Sequence, residues 1–185
     1  MNLLIVTTSV RKGRSGEKVT NWFVDQVEKD GRFTPDVVDL KELNLSYELP
    51  EKLAGSVQNS EYDNEEDVKW AKHVNKADAV VFVMPEYNHG YPASIKNAVD
   101  HLYHEWNGKP VSFVGYGSAG APYAIGSFAD VAYWTKMDIV NAHVGISEIW
   151  AAFDEDGKLR HQDYHAYEAK TMLDSLTHKV EAKKN

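Results

Sequence analysis

Two short segments of the sequence combine residue types that can bind a charged, aromatic ligand. The first is rich in hydroxyls, glycine and arginine, and its candidate phosphate ligands are Ser9, Arg11, Arg14, Ser15 and Gly16. An amphipathic pattern follows from residue 19, so the segment would lead into a helix whose free N–H groups and dipole favour an anion. The serine hydroxyls can donate hydrogen bonds, and guanidinium groups can pair with phosphate oxygens. The alternative is a solvated basic loop in which Ser15 only caps the helix.

The second segment follows a predicted strand and begins a short loop rich in aromatic and polar side chains: Pro85, Glu86, Tyr87 and Asn88. His89 and Tyr91 come next, and we expect both to line a substrate pocket, with a purely structural His89 as the alternative. Pro92 suits the first turn of a helix, because its missing N–H would be unpaired there in any case.

A third segment, Gly115, Tyr116, Gly117 and Ser118, begins a match to the pattern G-x-G-x-x-G. A dinucleotide-binding fingerprint requires an acidic residue at the end of the next strand, about 20 residues on. Asp138 instead precedes the next strand candidate. We therefore interpret this segment as a flexible loop whose missing side chains let a flat ring approach the backbone.

The elements that would position these segments alternate between strands and helices. Continuous apolar runs at residues 3–6, 79–83 and 111–114 are typical of strands covered on both faces, and residues 33–40 and 139–146 are weaker strand candidates. Helical spacing of apolar residues occurs at 19–27, 68–74, 95–106, 121–132 and 169–180. The alternation predicts an α/β domain spanning residues 1–185, with a doubly wound, five-stranded parallel sheet in the order 2-1-3-4-5 and helices on both faces.

Two stretches depart from this alternation. Residues 42–65 show no clear hydrophobic period and are expected to form a long irregular loop. Residues 154–158 are predicted to form a tight turn around Gly157. In the predicted strand order the first and third strands are neighbours. The first two candidate segments would therefore face one crevice at the carboxyl edge of the sheet.

Composition excludes several classes of function. With 28 acidic and 20 basic residues the formal charge is −8, which disfavours binding to nucleic acid or to an anionic membrane. The sequence contains no cysteine, so disulfides, thiolate metal sites and cysteine nucleophiles are excluded, and a cytoplasmic location is expected. His101 and His104 lie on the polar side of a predicted helix without an H-E-x-x-H pattern. We expect them to be exposed and predict no metal site.

The residues from Pro85 to Pro92, followed by Ile-Lys-Asn-Ala-Val-Asp at 95–100, resemble the NADPH-dependent FMN reductase family. The resemblance extends from the Ser9 loop to about residue 150. It implies a flavodoxin-like fold that binds FMN. The loop from Ser9 to Arg14, with Ser15 and Gly16, would hold the phosphate, residues 85–88 would flank the flavin ring, and residues 115–118 would contact its other edge. The resemblance also implies NADPH or NADH as hydride donor and a small-molecule acceptor such as a quinone, an azo compound, free flavin or a metal oxyanion. Thr8 and Ala121 depart from the family, which often has glycine at both positions.

Two other classes remain as alternatives. A flavodoxin-like electron carrier would bind FMN without nicotinamide activity, and a regulatory module could keep the fold without flavin. The arginines at 11 and 14 argue against the carrier. Aromatic residues beyond the core-facing stripes of two helices predict a homodimer or a homotetramer, with an interface on the helices after Pro92 and Gly120; these residues are Tyr103, Trp106, Tyr133 and Trp134. The alternative is a monomer in which these aromatic residues cap the core.

Overall fold

The computed structural model describes residues 1–184, which are organised around one parallel sheet. Its strands are β1 Asn2–Thr7, β2 Thr34–Asp39, β3 Ala79–Pro85, β4 Pro110–Tyr116, β5 Asp138–Ile139 and β6 Val144–Ile146. The order β2-β1-β3-β4-β5 confirms the predicted flavodoxin-like topology. In the register of the central strands, Ile5 lies between Val37 of β2 and Val81 of β3.

The strand predicted at residues 139–146 is divided into two short pieces. Both pieces pair with β4, since Val111 lies opposite Ile139 and Val114 lies opposite Val144. Between them the hydroxyl of Ser112 donates a 2.6 Å hydrogen bond to the carbonyl of Ala142. A side chain of β4 therefore replaces part of the backbone ladder, and the last strand is interrupted at that point.

Helices cover both faces of the sheet, as predicted: α1 Gly16–Asp30, α2 Leu40–Leu43, α3 Glu65–Lys76, α4 Ala93–Asp100, α5 Pro122–Trp134 and α6 Gln162–Ala182. Side chains of β1 alternate between the two faces. Leu4 and Val6 pack in the core beneath α2 to α5, whereas Leu3 and Ile5 pack against α1 and α6. Within residues 1–184 none of the helices has the length and apolar character needed to span a membrane.

The helix predicted at residues 95–106 ends early, at Asp100. Trp106 lies instead in a separate 3₁₀ turn, His104–Trp106, where it is completely buried. Its indole N–H donates a 3.2 Å hydrogen bond to the Val99 carbonyl, and its ring packs edge-on against Trp70. The expectation that Trp106 forms part of an exposed interface is therefore wrong, because the change of direction after α4 turns it into the core.

His101 also differs from its prediction. The side chain is buried, and its Nδ1 lies 2.5 Å from the carboxylate of Asp67 while its Nε2 lies 2.8 Å from the carbonyl oxygen of Ser46. The ring therefore joins α3, α4 and the long segment after α2. His104 is exposed, as predicted. In the described part of the chain no group of three or more histidine, aspartate or glutamate side chains could hold a metal ion.

The predicted irregular segment, residues 42–65, contains little regular structure beyond the end of α2 and a 3₁₀ turn at Ala54–Ser56. Its start is fixed to α4, since the side-chain amide of Asn97 donates to the Ser46 carbonyl at 3.1 Å. The predicted turn at 154–158 is confirmed. Asp154 accepts a 2.8 Å hydrogen bond from the Lys158 N–H, and Gly157 has a φ of 76°.

Candidate functional site

Three loops meet where β1, β3 and β4 end. Residues 8–15 join β1 to α1, residues 86–92 join β3 to α4, and residues 117–121 join β4 to α5. Since β3 lies between β1 and β4, all three loops share one edge of the sheet. Thr8, where the family often has glycine, fastens the first loop to β3, because its hydroxyl donates to the Val83 carbonyl at 2.9 Å.

The start of α1 leaves hydrogen-bond donors available at this edge. The first backbone bond of the helix joins the Val19 N–H to the Ser15 carbonyl at 3.1 Å. Ser15 occupies the N-cap position, but its side chain makes no capping hydrogen bond. The predicted alternative of a plain capping serine therefore does not describe this helix. Unpaired N–H groups and the positive end of the dipole together favour an anion here.

Arg14 is held by carboxylates of the protein. Its side chain is only 4% exposed and donates to Asp39, at the end of β2, and to Glu17 at 3.0 Å. Burial opposes the charged form, but the hydrogen bonds that Arg14 donates to Asp39 and then to Glu17 outweigh it and raise the pKa of Arg14. The guanidinium also donates to the Ser9 carbonyl. Arg14 therefore orders the first loop. A direct hydrogen bond from Arg14 to a ligand phosphate would have to compete with Asp39, Glu17 and the Ser9 carbonyl.

Arg11 has a different environment. Its guanidinium carbon lies 4.7 Å from the ring centroid of Tyr87, and no carboxylate pairs with it within residues 1–184. The Tyr87 hydroxyl lies 2.6 Å from Oγ of the buried Ser9. Arg11, Ser9 and Tyr87 thus connect the first two loops, and Arg11 is the guanidinium free to meet an anion.

The second loop is a tight turn. The Tyr87 N–H donates to the Gly90 carbonyl at 2.9 Å, and the Gly90 N–H donates back at 3.0 Å. Asn88 and His89 between them have φ values of 51° and 59°, as in a two-residue turn of type I′. Asparagine tolerates this conformation better than most residues. Pro85 is buried at the end of β3, immediately before the turn.

Glu86 caps the helix that follows the third loop. Its Oε2 accepts hydrogen bonds from the N–H groups of Tyr123 at 2.8 Å and Ala124 at 3.2 Å. The N-cap residue of α5 is Ala121, which has a φ of 64° and no side-chain acceptor. From the sequence we expected Glu86 beside the ligand ring, whereas its carboxylate in the structure binds the second loop to α5.

Gly115, near the end of β4, and Gly117, in the third loop, serve different purposes. A Cβ on Gly115 would lie 2.4 Å from the Gly120 carbonyl oxygen, so this glycine is required by the turn of the chain itself. A Cβ on Gly117 would meet only ordinary contacts, the nearest being Glu86 Cβ at 3.5 Å. Gly117, but not Gly115, is therefore a position where the missing side chain would let a flat ring approach the backbone. Ser118 is exposed beside it.

Two aromatic contacts border the site. The ring of His89 stacks on that of Tyr123, with centroids 4.2 Å apart and an interplanar angle of 14°. Tyr91 packs edge-on against Phe128 in the core, 5.5 Å away, and is only partly exposed. Tyr123 was not singled out from the sequence, although its place in the first turn of α5 put it next to the glycine loop.

The residues present fit a phosphate-bearing flat cofactor. The open start of α1, the free Ser15 hydroxyl and the unpaired Arg11 suit a phosphate. In addition, the buried hydroxyl of Tyr116 has no hydrogen-bond partner within residues 1–184. These groups lie at the sheet edge where doubly wound folds bind their ligands.

Comparison with known proteins identifies the family. The family described as NADPH-dependent FMN reductase matches residues 1–151. The chain is 37% identical over 139 residues to an NAD(P)H-dependent FMN reductase of Schizosaccharomyces pombe, covering 74% of this chain and 68% of that protein. It is 35% identical over 148 residues to another of Saccharomyces cerevisiae, covering 76% and 78%.

The fold has solved counterparts as well. The flavoenzyme FerB of Paracoccus denitrificans, an NAD(P)H:(acceptor) oxidoreductase, superimposes with a TM-score of 0.76 at 21% identity, over 98% of this chain and 97% of its own. At that identity the likeness concerns the fold. The match of the family over 151 residues and the identity to the yeast reductases go further: the chain belongs to the NADPH-dependent FMN reductase family and is an oxidoreductase that uses FMN and NAD(P)H.

Proposed function

We propose that the three loops form the FMN site of this reductase. The phosphate would lie at the start of α1, and the ring between the second and third loops; the residues assigned to the site are Ser9, Arg11, Arg14, Ser15, Gly16, Pro85, Glu86, Tyr87, Asn88, Gly115, Tyr116, Gly117 and Ser118. The observation that carries the proposal is the convergence of unpaired donors at the α1 start, beside Arg11 and Tyr87. In this assignment Arg14 and Glu86 act by holding loops in place.

Bound FMN would accept a hydride from NAD(P)H and pass electrons to a second acceptor. The protein orients the reactants and supplies polar groups. The two-residue turn of the second loop carries the side chains of Asn88 and His89. The Tyr87 N–H is not available, because it already donates a hydrogen bond to the Gly90 carbonyl. The side-chain amide of Asn88 therefore remains as the polar group best able to stabilise added charge at the ring edge.

We propose that the second acceptor is a flat conjugated molecule, such as a quinone, an azo compound or free flavin. The support is the stacked pair of His89 and Tyr123, whose exposed planar surfaces border the site. A planar acceptor could replace the nicotinamide against the same surface. The two half-reactions would then alternate in ping-pong kinetics.

Anaerobic stopped-flow mixing of the FMN-loaded protein with NADPH, and separately with NADH, tests the site and the donor. We expect bleaching of the flavin absorbance, followed by reoxidation on adding a quinone. His89→Ala should slow the second half-reaction more than the first. If each half-reaction has the same rate in His89→Ala as in the unchanged protein, the acceptor proposal is contradicted.

We also propose that the active unit is a homodimer that uses the end of α5. Tyr133 is 85% exposed and Trp134 74% exposed, which is unusual for adjacent large aromatic residues. Sedimentation at low micromolar concentration should give a dimer for the unchanged protein and a monomer for Trp134→Glu. The matched control is Trp150→Glu, which alters a residue 72% exposed elsewhere and should stay dimeric. A monomeric unchanged protein would defeat this proposal.

We further propose that the chain is one domain working in the cytoplasm, where NAD(P)H is kept reduced. Both core clusters lie against the same sheet, which supports a single cooperative unit. Calorimetry should then show one unfolding transition, and cell fractionation should recover the protein with cytoplasmic markers.

A further inference from the structure

The hydroxyl of Tyr116 is a buried polar group that lacks a hydrogen-bond partner in the described chain. Tyr116 ends β4, is 4% exposed, and packs with the core on the α1 side of the sheet. Its oxygen lies 2.8 Å from the position that a Cβ would take on Gly16, the first residue of α1. Because burying an unpaired hydroxyl costs free energy, native proteins seldom do so without a purpose.

The surroundings of this hydroxyl define what could pair with it. Burial raises the pKa of Tyr116, the nearby Tyr87 raises it further, and the Ser9 hydroxyl, Arg14 and Arg11 only partly oppose this. The hydroxyl therefore keeps its proton at neutral pH. The nearby Ser9 hydroxyl lies 2.6 Å from the Tyr87 hydroxyl and does not have the geometry of a hydrogen bond with Tyr116 within residues 1–184. The first N–H groups of α1 can only donate, and the Tyr116 O–H can donate alongside them. One group that pairs with all of them must therefore be an acceptor, and the helix dipole favours a negative one.

We propose that the Tyr116 hydroxyl donates a hydrogen bond to the phosphate of FMN, an inference that rests on the proposed placement of the phosphate at α1. The sequence had placed Tyr116 at the edge of the flavin ring. Gly16 belongs to the same arrangement, because any side chain there would displace the hydroxyl from the helix start. Tyr116 thereby becomes a residue that distinguishes FMN from riboflavin.

The effect of Tyr116→Phe on FMN binding distinguishes a packing role for Tyr116 from a role in binding the phosphate. Phenylalanine would fill the same apolar cluster and would leave no unpaired hydroxyl. In the protein without ligand, Tyr116→Phe should therefore keep or raise the melting temperature, with an increase of up to about 12 °C. In the same variant the affinity for FMN should fall about tenfold or more, as for a hydrogen bond to a charged group.

The test is a fluorescence titration of flavin-free protein with FMN and with riboflavin, together with melting curves in inorganic phosphate. We expect Tyr116→Phe to lose affinity for FMN, to keep its affinity for riboflavin, and to gain less stability from phosphate than the unchanged protein. Tyr167→Phe, at a tyrosine 70% exposed on α6, is the control and should match the unchanged protein. Gly16→Ala should lose the preference for FMN in the same way, which provides a second variant if Tyr116→Phe folds poorly.

The outcomes separate this inference from the proposal beneath it. If the unchanged protein binds FMN and riboflavin equally well, the proposed position of the phosphate at α1 is wrong. The proposed role of Tyr116 is then wrong as well. If the unchanged protein prefers FMN and Tyr116→Phe retains that preference, only the role of Tyr116 is overturned. Equal weakening of both flavins in Tyr116→Phe would also overturn it, because that result indicates a disturbed fold.

Discussion

Replacing Glu86 by alanine tests whether one carboxylate holds the second loop and α5 together. The substitution removes the acceptor for the Tyr123 and Ala124 N–H groups. Loss of a helix cap costs about 0.5–2 kcal/mol, and loss of a negative charge at a helix start adds about 0.3–1 kcal/mol. Ala121 offers no substitute acceptor. The expected decrease in the free energy of unfolding is therefore about 1–3 kcal/mol.

Thermal unfolding of the flavin-free protein, followed by circular dichroism, measures this effect. For a chain of this size the predicted decrease corresponds to a melting temperature lower by about 2 to 12 °C. Glu86→Gln keeps a neutral acceptor and should lose about half as much. The control Glu28→Ala changes an exposed glutamate of α1 and should stay within about 0.5 kcal/mol of the unchanged protein.

Flavin binding tests whether Glu86 also positions the two loops around the ring. Because Glu86 would act by positioning the loops on either side of the ring, Glu86→Ala should weaken FMN and riboflavin by the same factor. A melting temperature equal to that of the unchanged protein would refute the capping role. A loss confined to FMN would refute the positioning role, since only the phosphate distinguishes the two flavins.

Three further predictions concern the arginines of the first loop, the Ser112 hydrogen bond and the ion pair between Arg32 and Asp30. Arg11→Ala should weaken FMN by about 1.5–3 kcal/mol and spare riboflavin, whereas Arg14→Ala should lower the melting temperature without ligand; titration and melting curves distinguish them. Ser112→Ala leaves a carbonyl of the interrupted last strand unpaired and should cost about 1–3 kcal/mol in urea unfolding, with Ser127→Ala as an unaffected control. The hydrogen bond from Arg32, at 2.7 Å, lowers the pKa of Asp30. Since the folded pKa lies below the unfolded one, this pair stabilises above about pH 4 and the benefit is lost as the pH falls through the folded value. Arg32→Gln should therefore destabilise the protein at pH 7 by about 1 kcal/mol or less, and progressively less below pH 4; an effect that grew in acid would contradict this assignment.

The sequence was sufficient where local periodicity decides the structure. The runs at residues 3–6, 79–83 and 111–114 became β1, β3 and β4, because a strand buried on both faces must be apolar throughout. The last strand was predicted less well. Its interruption depends on a hydroxyl of β4, Ser112, and a pattern within residues 139–146 carries no trace of that contact.

The roles of the charged residues depended on contacts distant in the chain. Arg14 pairs with Asp39, 25 residues away, and His101 pairs with Asp67, 34 residues away. Neither pairing has a local signature, so the sequence left Arg14 free for phosphate and His101 exposed. The role of Glu86 was more accessible, because Ala121, the N-cap residue of α5, has no side-chain acceptor and some other acceptor had to serve the helix.

The pairing of Arg14 with Asp39 has a consequence for how the edge of the sheet opens. Asp39 is the last residue of β2, which is the outermost strand on its side, and Arg14 also donates to the Ser9 carbonyl. Detachment of β2 would release the first loop, and a ligand that needs the ordered loop would oppose that detachment. Amide hydrogen exchange in β2 should therefore slow when FMN is present, even though the amides themselves lie outside the site.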